Sequence, residues 1–206
     1  MMKILIMILV LSTAFLYAYP VTNENFESGA SGWNNNTTTT ATGFSQFLGR
    51  FGGTGGAQSV YKTFALSGTQ TEVTIQFDFY EIDTWDGERL YIYINDSLYR
   101  TDPFWVNSYS GYASLNDTPS IAVNLNSGTT DIGFLSGWSD EFFRYTIVYN
   151  TTANALKLGF GTTLDEPLEN ESWGIDNVII TQNNIPEPMT FVALLVGFGL
   201  LMFRKR

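Results

Sequence analysis

Between residues 70 and 180 the chain alternates apolar and polar positions with a period of two. Val73, Ile75, Phe77 and Phe79 fall on one side of an extended segment, and Thr74, Gln76, Asp78 and Tyr80 on the other, as in a half-buried strand. Leu90, Ile92 and Ile94 repeat the pattern, as do Ile121/Val123/Leu125, Phe143/Tyr145/Ile147/Tyr149 and Leu156/Leu158/Phe160. A last strand is predicted from Trp173 to Ile180. Asp86-Gly87 is a turn signal that joins two of these strands as a hairpin. The Asn/Thr-rich run 34–43 and the Gly-rich run 51–59 are expected as loops. No helical period occurs inside this region, so the expectation is an all-β fold of two antiparallel sheets packed face to face.

Two segments break the pattern. Lys3, the apolar run Ile4–Leu11 and the small residues up to Ala18 have the layout of a secretory signal, with cleavage expected after Ala18. Met189–Phe203 is a second uncharged apolar run of 15 residues, closed by Arg204-Lys205-Arg206. As a helix it would rise about 22 Å, less than the ~30 Å hydrocarbon core, so it spans only where the bilayer thins. The terminal cations would stay on the cytoplasmic side. The expected organisation is a signal peptide over 1–18, a β-sandwich over 19–183 and a membrane-directed tail over 184–206.

Composition narrows the chemistry. The chain has no cysteine and no histidine, which excludes disulfides, Cys/His zinc sites and Ser-His-Asp catalysis. All 20 acidic residues lie between Glu24 and Glu187, against six basic ones in that interval. Such a surface repels nucleic acid, which is bound by releasing counterions to a positive face. It suits divalent cations better, or else simply keeps a secreted domain soluble.

The tail carries the first resemblance. Pro186-Glu187-Pro188, the apolar run and the basic end resemble the PEP-CTERM sorting signal of exported proteins in Gram-negative bacteria that make extracellular polysaccharide. The resemblance covers about the last 22 residues. It implies transient anchorage in the inner membrane, recognition of the tripeptide by exosortase, a membrane-embedded cysteine transpeptidase, and delivery to the cell surface or biofilm matrix. The prolines hold the site extended beside the bilayer.

A second resemblance concerns the domain. "NFESGASGW" (25–33) and "SWGIDNVII" (172–180) look like the opening and closing strands of jelly-roll adhesion and carbohydrate-binding modules, including MAM-like domains. It implies a jelly-roll sandwich with adjacent first and last strands. It also implies a structural calcium near that seam, with Glu27 and Asp176 as ligands; the alternative is that both simply hydrogen-bond turn amides.

The densest polar cluster is "EIDTWDGE". Glu81, Asp83, Asp86 and Glu88 would repel one another and raise one another's pKa values unless a cation relieves them. A calcium-binding hairpin and a solvated acidic turn are both compatible with it. The stretch from Glu81 to Asp86 also resembles the Glu-x-Asp-x-x-Glu signature of jelly-roll endo-glucanases of glycoside hydrolase family 16, with Asp86 where the enzymes have glutamate. For sugar, "YRTDPFWVNSYSGY" offers Phe104, Trp105, Tyr109 and Tyr112 with Asp102, Asn107 and Ser108 in a loop-like setting, and Trp138 is a second candidate. Aromatic faces stack on the C–H faces of pyranoses while hydroxyls seek acids and amides. Trp33 and Trp173 are expected to pack at the sandwich ends. The leading expectation is a non-catalytic, calcium-stabilised module for extracellular polysaccharide. The alternatives are a structural matrix protein without a specific ligand and a glycoside hydrolase.

Overall fold

The computed structural model describes residues 18–41, 44–68, 71–105, 121–125, 135, 138 and 140–184. The signal segment before Ala18, Tyr109, Tyr112, the sorting tripeptide Pro186-Glu187-Pro188, the run 189–203 and Arg204-Lys205-Arg206 lie outside them.

The described residues hold strands and no helix. In chain order these are β1 (Ala18–Glu24), β2 (Thr38–Thr39), β3 (Phe47–Phe51), β4 (Val60–Ala65), β5 (Thr71–Asp83) and β6 (Asp86–Ile94). After them come β7 (Ser97–Trp105), β8 (Ile121–Leu125), β9 (Glu141–Thr151), β10 (Ala155–Thr162) and β11 (Glu171–Asn184). One sheet has seven strands in the order β2-β3-β11-β5-β9-β8 with β1 added on β11, and the other has four in the order β4-β10-β6-β7. All pairings are antiparallel.

Alternation builds the core as expected. Val73, Ile75, Phe77 and Phe79 of β5 are fully buried, as are Phe143, Tyr145 and Ile147 of β9 and Leu90 and Ile92 of β6, together with Leu156, Leu158 and Phe160 of β10. Aromatic rings tie the core together: Phe77 stacks on its ladder partner Tyr145 at 4.9 Å between centroids within the large sheet, and meets Phe160 of the other sheet edge-on at 4.9 Å. Phe79 and Phe104 join β5 to β7 across the sandwich at 4.9 Å. Each such side chain contributes about 1.5–3 kcal/mol by leaving water.

Two expectations about strands are corrected. The opening strand is Ala18–Glu24, just before the stretch 25–33; the latter forms turns, with Phe26 at φ 57° and Gly29 N–H donating to the Phe26 carbonyl at 2.9 Å. β1 pairs with β11, so the first and last described strands are adjacent. The link from β5 to β6 is not a hairpin, because the two strands lie in opposite sheets. The chain turns the corner at Thr84-Trp85, and Asp86-Gly87 already belongs to β6. The last strand, expected over Trp173–Ile180, forms within β11, which carries a bulge between Asp176 and Ile179, with Asn177 at φ 50°. The extra residue switches which parity faces inward: Trp173 and Ile175 fill the core before it, Val178 and Ile180 after it.

Tyr80 sits on the outer face of the large sheet, as its parity requires, yet is only 4% exposed. Phe44, Phe47 and Phe142 cover it as a satellite apolar cluster.

Candidate functional site

The corner between β5 and β6 closes one end of the sandwich. Trp85 plugs it from inside: the ring is fully buried against Phe79 and Phe104, and its Nε1–H donates to the Ser172 carbonyl at 2.9 Å. Thr84 donates its Oγ1–H to the Asn170 carbonyl at 3.0 Å. The corner is therefore tied to the start of β11 and brings residues from both sheets together.

Carboxylates converge at this end. Glu81 and Asp83 continue the inward row of Phe77 and Phe79 along β5. Across the ladders, Glu81 faces Glu141 of β9, and Asp83 faces Glu171 of β11. Asp140 accepts the Asp83 backbone N–H at 2.6 Å, and an Asp83 oxygen accepts Leu135 N–H at 3.0 Å. Asp86 and Glu88 arrive from the other sheet, where the Asp86 N–H donates to a Glu88 oxygen at 2.7 Å. Asp86, Glu88 and Glu171 each present one carboxylate oxygen within 4.8 Å of the other two.

The burial of this cluster is costly as it stands. Glu81 and Glu171 are each 1% exposed. Among the described residues, both oxygens of Glu81, Oε2 of Glu141 and Oε2 of Glu171 have no hydrogen-bond partner, and none of these three glutamates forms a salt bridge. An unsatisfied buried acceptor costs about 1–3 kcal/mol, and more if charged. Burial first, then the charges of Glu141, Asp140 and Glu88, push the Glu81 carboxyl well above the usual carboxylate range. Burial and the charges of Glu88, Glu166, Asp165 and Asp86 push Glu171 up to about 7. Burial raises Glu141 and Glu88 as well.

Of the residues singled out in the sequence, Glu81, Asp83, Asp86 and Glu88 thus gather at one end, though at a sheet-to-sheet corner and not in a hairpin. Asp140, Glu141 and Glu171 were missed. A signal for two of them existed: Glu141 lies two residues before the core residue Phe143, and Glu171 two before Trp173. An acid at core parity beyond the last aromatic marks a strand end that carries charge into the space between the sheets.

The other candidate pair, Glu27 and Asp176, is engaged in hydrogen bonds along the segment 44–46. Exposed Glu27 accepts the Gln46 N–H at 3.0 Å. Buried Asp176 accepts from the Tyr80 hydroxyl at 3.0 Å, from the Ser45 hydroxyl at 3.1 Å and from the Asn177 N–H at 2.7 Å. Burial raises the Asp176 carboxyl, and these donors partly offset it. Both residues thus anchor the segment 44–46 through hydrogen bonds.

The aromatic candidates divide. Trp105 is 43% exposed and Trp138 44%. Trp105 is the register partner of Asp86 at the same end of the sandwich. The Trp138 N–H donates to the Leu135 carbonyl at 3.4 Å, in the turn whose Leu135 N–H is held by Asp83. Gly87, at φ 137°, lets the Trp105 indole lie close over the backbone: a Cβ there would stand 3.2 Å from Nε1. Phe104, Trp105 and Asp102 differ from the expected loop setting, since all belong to β7. Phe104 is fully buried. Asp102 is 3% exposed, paired with Arg100 Nε at 2.6 Å and accepting the Tyr145 hydroxyl at 2.8 Å. Its parity faces the core, where it holds an internal ion pair. Trp33 and Trp173 are buried as expected.

The endo-glucanase-like signature is not assembled on one strand. Glu81 is enclosed in β5, and Asp86 lies on the other sheet.

No protein-family model matches the chain, and no curated protein matches it in sequence. Among solved structures, dimeric latent PorU from Porphyromonas gingivalis is similar at 13% identity and a TM-score of 0.47, over 82% of this chain and 13% of that one. A native family 35 carbohydrate-binding module from Clostridium thermocellum is similar at 10% identity and a TM-score of 0.39, over 79% of this chain and 97% of that one. The CBM22-1–GH10 modules of xylanase 10B from the same organism, complexed with xylohexaose, give 13% identity and a TM-score of 0.36, over 79% of this chain and 28% of that one. This chain therefore spans a small part of the PorU and xylanase chains, and at such scores the functional reading rests on its own residues.

Proposed function

We propose that the chain is an exported jelly-roll β-sandwich that binds extracellular polysaccharide without cutting it, at the end of the domain where the corner and the acids meet. One observation carries the reading. Among the described residues, Trp105 and Trp138 are the aromatic side chains that stand exposed at that end, while the other described rings are buried or partly buried. Exposed indoles are expensive to leave in water and suit the apolar face of a sugar ring. Neighbouring Asp86, exposed beside Trp105, supplies an acceptor for hydroxyls. Non-catalytic binding is favoured because Glu81 is enclosed beneath the surface.

Delivery is the second half of the proposal. The segment 1–18 directs export, and Pro186-Glu187-Pro188 with the span 189–203 and Arg204-Lys205-Arg206 hands the protein to exosortase at the inner membrane. The domain then works at the cell surface or in the biofilm matrix.

The test is retention of the full-length chain, in neutral detergent, on a panel of immobilised polysaccharides. Wild type is retained on at least one, Trp105→Ala and Trp138→Ala each weaken retention, and no new reducing ends form. New reducing ends would establish a hydrolase; uniform lack of retention would favour a structural matrix role.

A further inference from the structure

The acidic end is arranged around a position that wants positive charge. Asp86 and Glu88 come from β6 in the four-stranded sheet and Glu171 from β11 in the seven-stranded one, yet their oxygens lie within 4.8 Å of one another. Two oxygens that each sit about 2.4 Å from one calcium ion are at most about 4.8 Å apart. A second observation is independent of this clustering. Glu171 is buried to 1% exposure, and among the described residues its Oε2 has no hydrogen-bond partner.

We propose that Asp86, Glu88 and Glu171 hold a divalent, oxygen-seeking cation of the calcium class, which staples the two sheets together at this end. All three donors are carboxylate oxygens, which suits a hard cation and gives no purchase to metals that prefer nitrogen or sulfur. Glu81, whose charge interacts with that of Glu88, adds to the negative field there. The exposed face at Asp86 leaves room for water to complete the six to eight oxygens that calcium takes. The staple has a structural consequence. Asp86 is opposite Trp105 in the β6–β7 ladder, so fixing Asp86 also fixes the strand end that presents the indole. The site differs in place and ligands from the Glu27/Asp176 seam, and it does not depend on the polysaccharide reading.

Calcium chloride titrated by calorimetry into the EDTA-stripped full-length chain in neutral detergent tests it. The expected result is a saturable site and a rise in melting temperature, with affinity reduced tenfold or more in Glu171→Gln and in Glu88→Gln and unchanged in Glu27→Gln. Wild-type affinity in the Glu88→Gln/Glu171→Gln double variant would overturn the assignment, as would wild type without calcium heat or thermal response. Should the variants not fold, terbium added to wild type and excited through tryptophan gives a second readout, because Trp85 adjoins Asp86 in sequence and Trp105 faces it across the ladder. Sensitised emission displaced by calcium is expected, and its absence overturns the proposal. Loss of polysaccharide retention with calcium binding intact would count against the sugar reading alone.

Discussion

Glu81 and Glu141 face each other across the β5–β9 ladder, both turned into the space between the sheets, and neither forms an ion pair among the described residues. Directly opposed residues hold their Cβ atoms about 4.5–5.5 Å apart, where like charges destabilise a sheet. Two apolar partners, Phe79 and Phe143, occupy the preceding pair. The core row therefore ends in mutual repulsion, which is tolerable only if a cation or protons neutralise it.

Glu81→Gln is accordingly expected to stabilise the metal-free chain. The amide removes one charge and supplies a donor toward Glu141, for a gain of about 1–2 kcal/mol. Thermal melts in EDTA check this: the variant should melt several degrees above wild type, and a lower midpoint would show that the Glu81 carboxylate is satisfied.

In the metal-free chain stability should fall as pH rises. Folded Glu171 titrates near 7 against an ordinary value of 4.5, because burial and neighbouring acids disfavour its charge, and Glu81 is shifted the same way. The folded state thus binds more protons than the unfolded one from pH 4.5 upward, and each unit of pH across that window lowers stability. Melting temperatures in EDTA at pH 5 and pH 8 should differ in that order, with Glu171→Gln weakening the dependence. A chain that grows more stable toward pH 8 would refute the assignment.

Gly87→Ala should disturb the exposed indole. Its φ of 137° is one that side-chain-bearing residues rarely adopt, and the new methyl meets Trp105 Nε1 at 3.2 Å. The strain costs about 1–3 kcal/mol. Denaturant unfolding measures that loss, and polysaccharide retention should fall together with it, as in Trp105→Ala. Unchanged retention would remove Trp105 from the binding face.

Asp102→Asn should act on stability and leave ligand binding alone. Both members of the Asp102–Arg100 pair are buried, and breaking a buried pair from one side costs about 3–5 kcal/mol. A folded variant with wild-type stability would mean the pair is unimportant; one with wild-type stability and lost retention would return Asp102 to the sugar site.

The strands were legible because a period of two survives from Val73 to Phe79 and from Phe143 to Tyr149 regardless of what they pair with. Sheet membership was not. Asp86-Gly87 reads as a hairpin turn locally, and only packing of Trp85 into the core shows that the chain crosses to the other sheet there. For the same reason half of the acidic end was visible: Glu81, Asp83, Asp86 and Glu88 are close in sequence, whereas Glu141 and Glu171 arrive through ladders that sequence alone does not pair. Asp102 misled because a Pro-Phe-Trp neighbourhood looks like a loop, and its inward parity along β7 shows only when the strand is seen to continue through it.

The most direct measurement of the central claim is a crystal structure grown with calcium and recorded for anomalous signal. The account predicts an ion about 2.3–2.6 Å from carboxylate oxygens of Asp86, Glu88 and Glu171. Full occupancy of that position by water, with no anomalous peak at saturating calcium, would contradict it.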